Sequence, residues 1–243
     1  MGKKEEVLGV RYEISNLRDA VSDIKDNIGS LSGGYACFSN VHTLMMANED
    51  KEYLDVLNNA DRTFPDGAPI ASKIRRKGHK EAERVAGPDF MEEMFKATMD
   101  GSLTHFFYGS KEETLEKLDD NLSKNYPGLR VRGMYSPSFG EVSEEEDRHD
   151  IELINEADAD IVWVGLGSPK QDKWMAAHRG KIRGFMCGVG AGFDFHAGTV
   201  KRAPVWMQKA HLEWLYRMCS DPKRLFKRYL VTNTKFIFKS LFD

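Results

Sequence analysis

Residues 160–204 read DIVWVGLGSPKQDKWMAAHRGKIRGFMCGVGAGFDFHAGTVKRAP. Twice in this stretch a short apolar run breaks into glycines. Ile161–Val164 gives way to Gly165 and Gly167, and Phe185–Val189 to Gly188, Gly190 and Gly192. Apolar run, glycine turn, helix is how an open parallel sheet presents backbone N–H groups to an anion. Two such units in tandem, with Lys170, Gln171, Lys201 and Arg202 beside them, predict a site for something phosphorylated.

The chain upstream keeps the same alternation. Val7–Val10 reads as a strand, and Leu17, Val21, Ile24 and Ile28 then recur at helical spacing. Tyr35–Phe38, Thr63–Phe64, Thr104–Tyr108 and Leu129–Tyr135 read as strands, and Pro88 opens a helix carrying Phe90, Met91, Met94 and Phe95. Leu115, Leu118 and Leu122 face inward from a charged helix, while Glu141–Asp150 reads as a solvated helix face. The expected fold is α/β: a Rossmann-like, mostly parallel sheet with helices on both faces. Past Pro204 the rhythm stops. Aromatic and basic residues interleave, and Asp221-Pro222 splits the segment into two helices with Pro222 at a first helical position. The expected division is a core over residues 1–204 and a basic amphipathic helical appendage over 205–243.

Composition narrows the setting. A chain of 243 residues supports one good-sized α/β core. Three cysteines, Cys37, Cys187 and Cys219, show no CxxC spacing, so a reduced cytosolic setting is expected and a zinc site is not. The start, MGKKEEVLGV, lacks the apolar segment of a signal peptide. No run approaches the ~20 apolar residues of a membrane span. The net charge of −3 divides unevenly: 199–243 holds ten Lys/Arg and three Asp/Glu (+7), and the rest holds 25 and 35 (−10). A basic end on an acidic body points to an anionic partner.

Several chemistries lack their motifs. There is no GxxxxGK[ST] loop, GxSxG elbow, HExxH pair or GxGxxG fingerprint. Polar residues stand instead at strand ends: Asn40, then Asp66 and Gly67 inside FPDGAP, Gly109 with Ser110, and Gln171 just after Gly165 and Gly167. In a parallel sheet those ends line the ligand crevice, so scattered residues can converge.

With these motifs in hand, the chain resembles the WecG/TagA/CpsF family of bacterial glycosyltransferases over nearly its whole length. The resemblance is carried by FSNVH (38–42), FPDGAP (64–69), ERVAGPDF (83–90), FFYGS (106–110), VGLGSPKQDKWM (164–175), GVGAGFDFHAGTVKRAP (188–204) and HLEWLYRMCSDPKRLFKRYL (211–230). It implies a cytosolic, metal-independent enzyme, peripheral on the inner face of the membrane and without a cofactor. Such an enzyme moves a sugar with inversion from a UDP-sugar donor to a polyprenyl-diphosphate-linked sugar in teichoic acid, common-antigen, capsule or exopolysaccharide synthesis. An anionic membrane surface is a further expected partner, nucleic acid is not, and a homo-oligomer stays open. The family usually carries a Thr where this chain has Phe38, which leaves the donor sugar undetermined.

By the same resemblance Asp66 is the catalytic base, which fits the need for a carboxylate that takes the acceptor hydroxyl proton. Pro-Asp-Gly is also a turn sequence, so Asp66 has a purely structural reading beside the catalytic one. Asn40 is implied at a sugar, or is a helix N-cap; Arg84 is implied at the leaving diphosphate, or is one charge in a solvated run. Gln171 is implied at the sugar site, or points to water from a first helical turn. Gly165, Gly167, Gly188 and Gly190 approach the nucleotide, or serve turn geometry. Arg202 and the appendage residues Arg217, Arg224, Lys227 and Arg228 are the expected cations for the departing UDP and the membrane. Asp194 with His196 makes no metal site. The rival from another class is a non-catalytic nucleotide-binding regulatory module built on the same glycine turns.

Overall fold

The computed structural model describes residues 2–138, 140, 142–209 and 212–240, with the side chains of 205, 209, 217, 223, 224 and 226–229 outside that description. The chain opens with β1 (Lys4–Val7) and β2 (Val10–Glu13), then α1 (Leu17–Leu31), β3 (Tyr35–Ser39), α2 (Val41–Glu49), α3 (Lys51–Asn59), β4 (Arg62–Pro65) and α4 (Ala68–Arg76). Next come α5 (Gly87–Ala97), β5 (Thr104–Gly109), α6 (Glu112–Asn125), β6 (Arg130–Tyr135), α7 (Glu144–Glu156) and β7 (Ile161–Gly165). It ends with α8 (Lys170–Ala177), β8 (Phe185–Gly188), α9 (Gly192–His196), α10 (Val205–Lys209), α11 (Glu213–Ser220) and α12 (Pro222–Ser240).

Six strands form one parallel sheet in the order β4-β3-β8-β7-β5-β6. This is the mixed α/β, Rossmann-like architecture that the strand–helix alternation predicts. Side chains alternate across it with period two. Tyr35, Cys37, Phe106, Tyr108, Val162, Val164 and Met186 enter one core with Leu44, Tyr53, Leu57, Ile70 and Met175. Ala36, Phe38, Phe107, Ile161, Trp163, Phe185 and Cys187 enter the other with Ile24, Phe90, Phe95, Leu118 and Phe193. Both faces are therefore covered by helices, and the strands read as continuous apolar runs for that reason.

Three elements differ from their readings. Val7–Val10 is not a single strand. Leu8 and Gly9 take positive φ (50° and 85°) and fold the segment into a hairpin, Lys4 opposite Glu13 and Val7 opposite Val10. Apolar residues on either side of Gly9 hide the turn, because Leu8 is an uncommon left-handed residue. Past Pro204 the chain forms three helices, α10, α11 and α12, where two are expected. The face read as solvated over Glu141–Asp150 is only partly so: Glu141 lies outside the described residues, and Asp150 is buried, accepting from Tyr108 Oη at 2.6 Å. The expected punctuation otherwise holds. Pro222 begins α12, and Ser143 with Glu146 forms a capping box on α7, whose first turn carries Glu144, Glu145, Glu146 and Asp147. Helix α12 lies along α2: Lys235 pairs with Glu49, Lys239 bonds to Asn48, and Lys73 Nζ donates to Ser240 O at 3.0 Å. Among the described residues no helix is long and apolar enough to cross a membrane.

Candidate active site

The carboxyl edge of the sheet fixes where each candidate stands. Along it run Asp66 after β4, Asn40 after β3, Gly188 and Gly190 at β8, Gly165 and Gly167 at β7, and Gly109 with Ser110 at β5. With strands about 4.8 Å apart, Asp66 and Asn40 are neighbours, and Gly109 lies about 19 Å from Asp66, four strand spacings away. The scattered polar residues do share one edge.

Asn40 ends β3 in extended geometry and caps α2. Its Oδ1 accepts from His42 N at 3.0 Å and Thr43 N at 3.3 Å, and Thr43 Oγ1 accepts from Asn40 N at 2.9 Å. The cap is thus real. Its Nδ2 has no bond among the described residues and stays available to a ligand. A buried hydroxyl chain stands behind it: Tyr12 Oη to Ser39 Oγ at 2.9 Å, and Ser39 Oγ to Thr43 Oγ1 at 3.0 Å. Nothing in the sequence joins Tyr12 to Asn40; the hairpin that brings them together is the element the text conceals. Phe38 sits in the core instead, its ring 5.4 Å from Phe64 and 5.1 Å from Phe90.

Asp66 sits at the corner between β4 and α4, where its N donates to Ser39 O at 2.9 Å and Gly67 becomes the N-cap of α4. The turn role and an accessible carboxylate coexist. Arg84 Nε donates to Asp66 O at 2.9 Å, and its guanidinium lies 3.7 Å from Asp66 Oδ1. Arg84 also reaches Asp89 at 3.1 Å and Glu213 at 3.0 Å. Arg202 grips the same two carboxylates, Glu213 at 3.2 Å and Asp89 by a very short contact. Burial opposes the charge of Arg202, but Asp89 and Glu213 outweigh it and raise its pKa. The result is a closed ring of two guanidiniums and two carboxylates touching Asp66. Arg84 is therefore no solvated surface charge. Glu213, on α11, has no sequence signal because its neighbours are aromatic and basic.

The glycine turns are occupied by the protein itself. Gln171 does not point to water; it is 2% exposed. Its Oε1 accepts from Gly167 N at 3.1 Å and from Gly190 N at 3.0 Å, which ties the β7 turn to the β8 turn. The N–H groups expected to meet an anion at these two glycines are thus already bonded. A Cβ on Gly188 would stand 2.5 Å from Met175 Cε, and one on Gly165 would stand 2.8 Å from the Phe193 ring, so both glycines admit close packing. Gly109, at φ +124°, abuts Gly165, and Ser110 N donates to Gly165 O at 3.2 Å with Ser110 itself at φ +62°.

A separate cavity of about 290 Å³, lined by Tyr135, Glu145, Glu146, His149 and Asp150 among others, opens at the β6 edge, opposite the Asp66 edge. His196 donates to Pro88 O at 3.1 Å, and Asp194 accepts from Thr199. Among the described residues no three His, Cys, Asp or Glu side chains gather as a metal site would require. The side chains of Arg217, Arg224, Lys227 and Arg228 lie outside the described residues.

N-acetylglucosaminyldiphosphoundecaprenol N-acetyl-beta-D-mannosaminyltransferase of Bacillus subtilis (strain 168) is 32% identical over 193 residues, 79% of this chain and 73% of the relative. The protein of the same name from Staphylococcus aureus (strain MW2) is 27% identical over 225 residues, 91% of this chain and 87% of the relative. The family model described as Glycosyl transferase WecG/TagA/CpsF family matches residues 5–243. The chain is a glycosyltransferase and belongs to the WecG/TagA/CpsF family.

Proposed function

We propose that this enzyme transfers a sugar from a UDP-sugar to a polyprenyl-diphosphate-linked acceptor, with inversion at the anomeric carbon. The observation that supports it most is a half-buried Asp66 at a strand end, 3.7 Å from Arg84 in a two-arginine cluster. Asp66 takes the proton of the acceptor hydroxyl as that oxygen bonds to the anomeric carbon. The bond from that carbon to the UDP oxygen breaks, and its electron pair leaves with UDP. Arg84 and Arg202 meet the diphosphate charge by charge-assisted hydrogen bonds, a role that metal ions fill in other transferases. Asn40 Nδ2 holds a sugar. The names of the relatives suggest an N-acetylglucosaminyl-diphospho-lipid acceptor and an N-acetylmannosamine donor. Family membership favours this over a non-catalytic nucleotide-binding module.

Residues 205–243 act as an appendage that docks the enzyme on an anionic membrane at the cytoplasmic face. Trp206, Trp214, Leu230, Val231, Ile237 and Phe238 are exposed there among basic residues, the make-up of an interfacial helix. The deciding experiment offers a panel of UDP-sugars with a short-chain polyprenyl-diphosphate N-acetylglucosamine and reads UDP release. Turnover with UDP-N-acetylmannosamine is expected. Acceptor-independent release, or none with any UDP-sugar, overturns the reading.

A further inference from the structure

Glu213 spans the two arginines beside Asp66. Its Oε2 accepts from Arg84 Nη2 at 3.0 Å, and its Oε1 accepts from Arg202 Nε at 3.2 Å. Asp89 spans them as well: its Oδ2 accepts from Arg84 Nη1 at 3.1 Å and its Oδ1 from Arg202 Nη2. Within this ring two positive charges meet two negative ones and are matched. A diphosphate carries more negative charge than a carboxylate and binds guanidinium through the same N–H fork. It gains little from guanidiniums whose charge is already matched, so one carboxylate has to yield before both arginines can serve it.

The two carboxylates are not held alike. Each stands in the first turn of a helix, where the dipole favours an acid. Helix α5, which carries Asp89, is part of the core, with Phe90, Met91, Met94 and Phe95 fully buried. Helix α11, which carries Glu213, lies past Pro204 and has Trp214 41% exposed. Glutamate also has one more rotatable bond with which to swing away. The arginines keep their places without it. Arg84 Nε still donates to Asp66 O at 2.9 Å, and Asp89 still bridges both guanidiniums. The departure of Glu213 therefore uncovers one N–H on each arginine, next to Asp66.

We propose that Glu213 is the exchangeable ligand of the transferase site: it holds Arg84 and Arg202 in place of a diphosphate ester and yields them when that ester binds. This rests on the reading of the two arginines as the diphosphate site. One anion replaces another, and no covalent bond changes. The seating of Glu213 and the binding of a diphosphate are then alternatives at the same two N–H groups, and ligand binding is coupled to the position of α11. A purely structural ion pair has no such competition.

The test uses the full chain and Glu213→Gln, which keeps the size of the side chain and removes its charge. Two probes separate the sources of diphosphate: UDP, and a short-chain polyprenyl-diphosphate N-acetylglucosamine. Glu213→Gln binds UDP about tenfold more tightly than the wild type does, the worth of one competing charge-assisted hydrogen bond. The second readout is fluorine NMR of protein carrying 5-fluorotryptophan, with Trp214 assigned through Trp214→Phe. Saturating UDP shifts the Trp214 resonance of the wild type, and in Glu213→Gln that resonance starts near the UDP-bound position. Should the variant not fold, the wild-type resonance alone decides. Equal or weaker affinity of Glu213→Gln for both probes, or a bound probe that leaves Trp214 unmoved in the wild type, overturns the exchange. A gain confined to the lipid-linked sugar upholds the exchange and overturns the donor reading, since the arginines then serve the acceptor. Binding of neither probe to either protein overturns the diphosphate reading and the exchange with it.

Discussion

Asp66 occupies a Pro-Asp-Gly corner, so its side chain answers two demands at once. Its backbone closes the turn by donating to Ser39 O, while the carboxylate faces Arg84. Asp66→Asn separates the two. Asparagine keeps the turn but cannot take a proton, so transfer falls by about 10²–10⁴, the range for a lost general base. Thermal stability and UDP affinity stay at wild-type values, and full turnover by the folded variant excludes Asp66 as base. Asn40 is separable in the same way. Asn40→Ser keeps an N-cap acceptor for α2 and costs less than about 1 kcal/mol of stability, yet it removes Nδ2 and depresses sugar transfer. Equal turnover by Asn40→Ser would reduce Asn40 to a cap. Such residues are legible because polar groups at the ends of apolar strands are few. Tyr12, Asp89 and Glu213 are not legible as partners, since only the closed chain carries them to Asn40, Arg84 and Arg202.

At the level of elements, short apolar runs between helices announce the sheet, and every strand of it overlaps such a run. Its order does not follow from the text: β8 and β7 insert between β3 and β5, and only packing decides this. The glycine turns teach the sharper lesson. Their spacing resembles an anion cradle, but Gln171 reaches back one turn and fills the cradle, because a long amide at the start of α8 meets two N–H groups at once. Helix α12 shows the reverse case, with apolar side chains that packing leaves exposed. Phe236 and Leu225 pack inward, while Leu230, Val231, Ile237 and Phe238 stay exposed. Replacing Ile237 and Phe238 together by Ser leaves the fold intact and cuts sedimentation with anionic vesicles by at least tenfold, since each buried apolar side chain is worth about 1.5–3 kcal/mol. Undiminished sedimentation would move the docking surface elsewhere.

Over the whole molecule, two buried groups act on stability in opposite directions as the pH falls. The ordinary carboxyl value of 3.8 rises to about 6 at Asp172, so the folded chain takes up this proton before the unfolded one does. Acidification through that window therefore adds stability from Asp172, about 3 kcal/mol for a shift of about two units. His105 runs the other way. Trp163 Nε1 donates to its Nδ1 at 3.1 Å, and its Nε2 gives its hydrogen to Thr98 Oγ1 at 2.9 Å, which fits only a neutral ring. Burial lowers its pKa from 6.5 to about 4, so the unfolded chain gains that proton first and stability is lost between those values. Between pH 6.5 and 4 the two contributions nearly cancel. Asp172→Asn removes one side of this balance. Denaturant unfolding at pH 7 and pH 4 is expected to show the variant losing about 3 kcal/mol more than the wild type over that interval. Parallel losses would mean that Asp172 titrates in the fold as it does in the open chain.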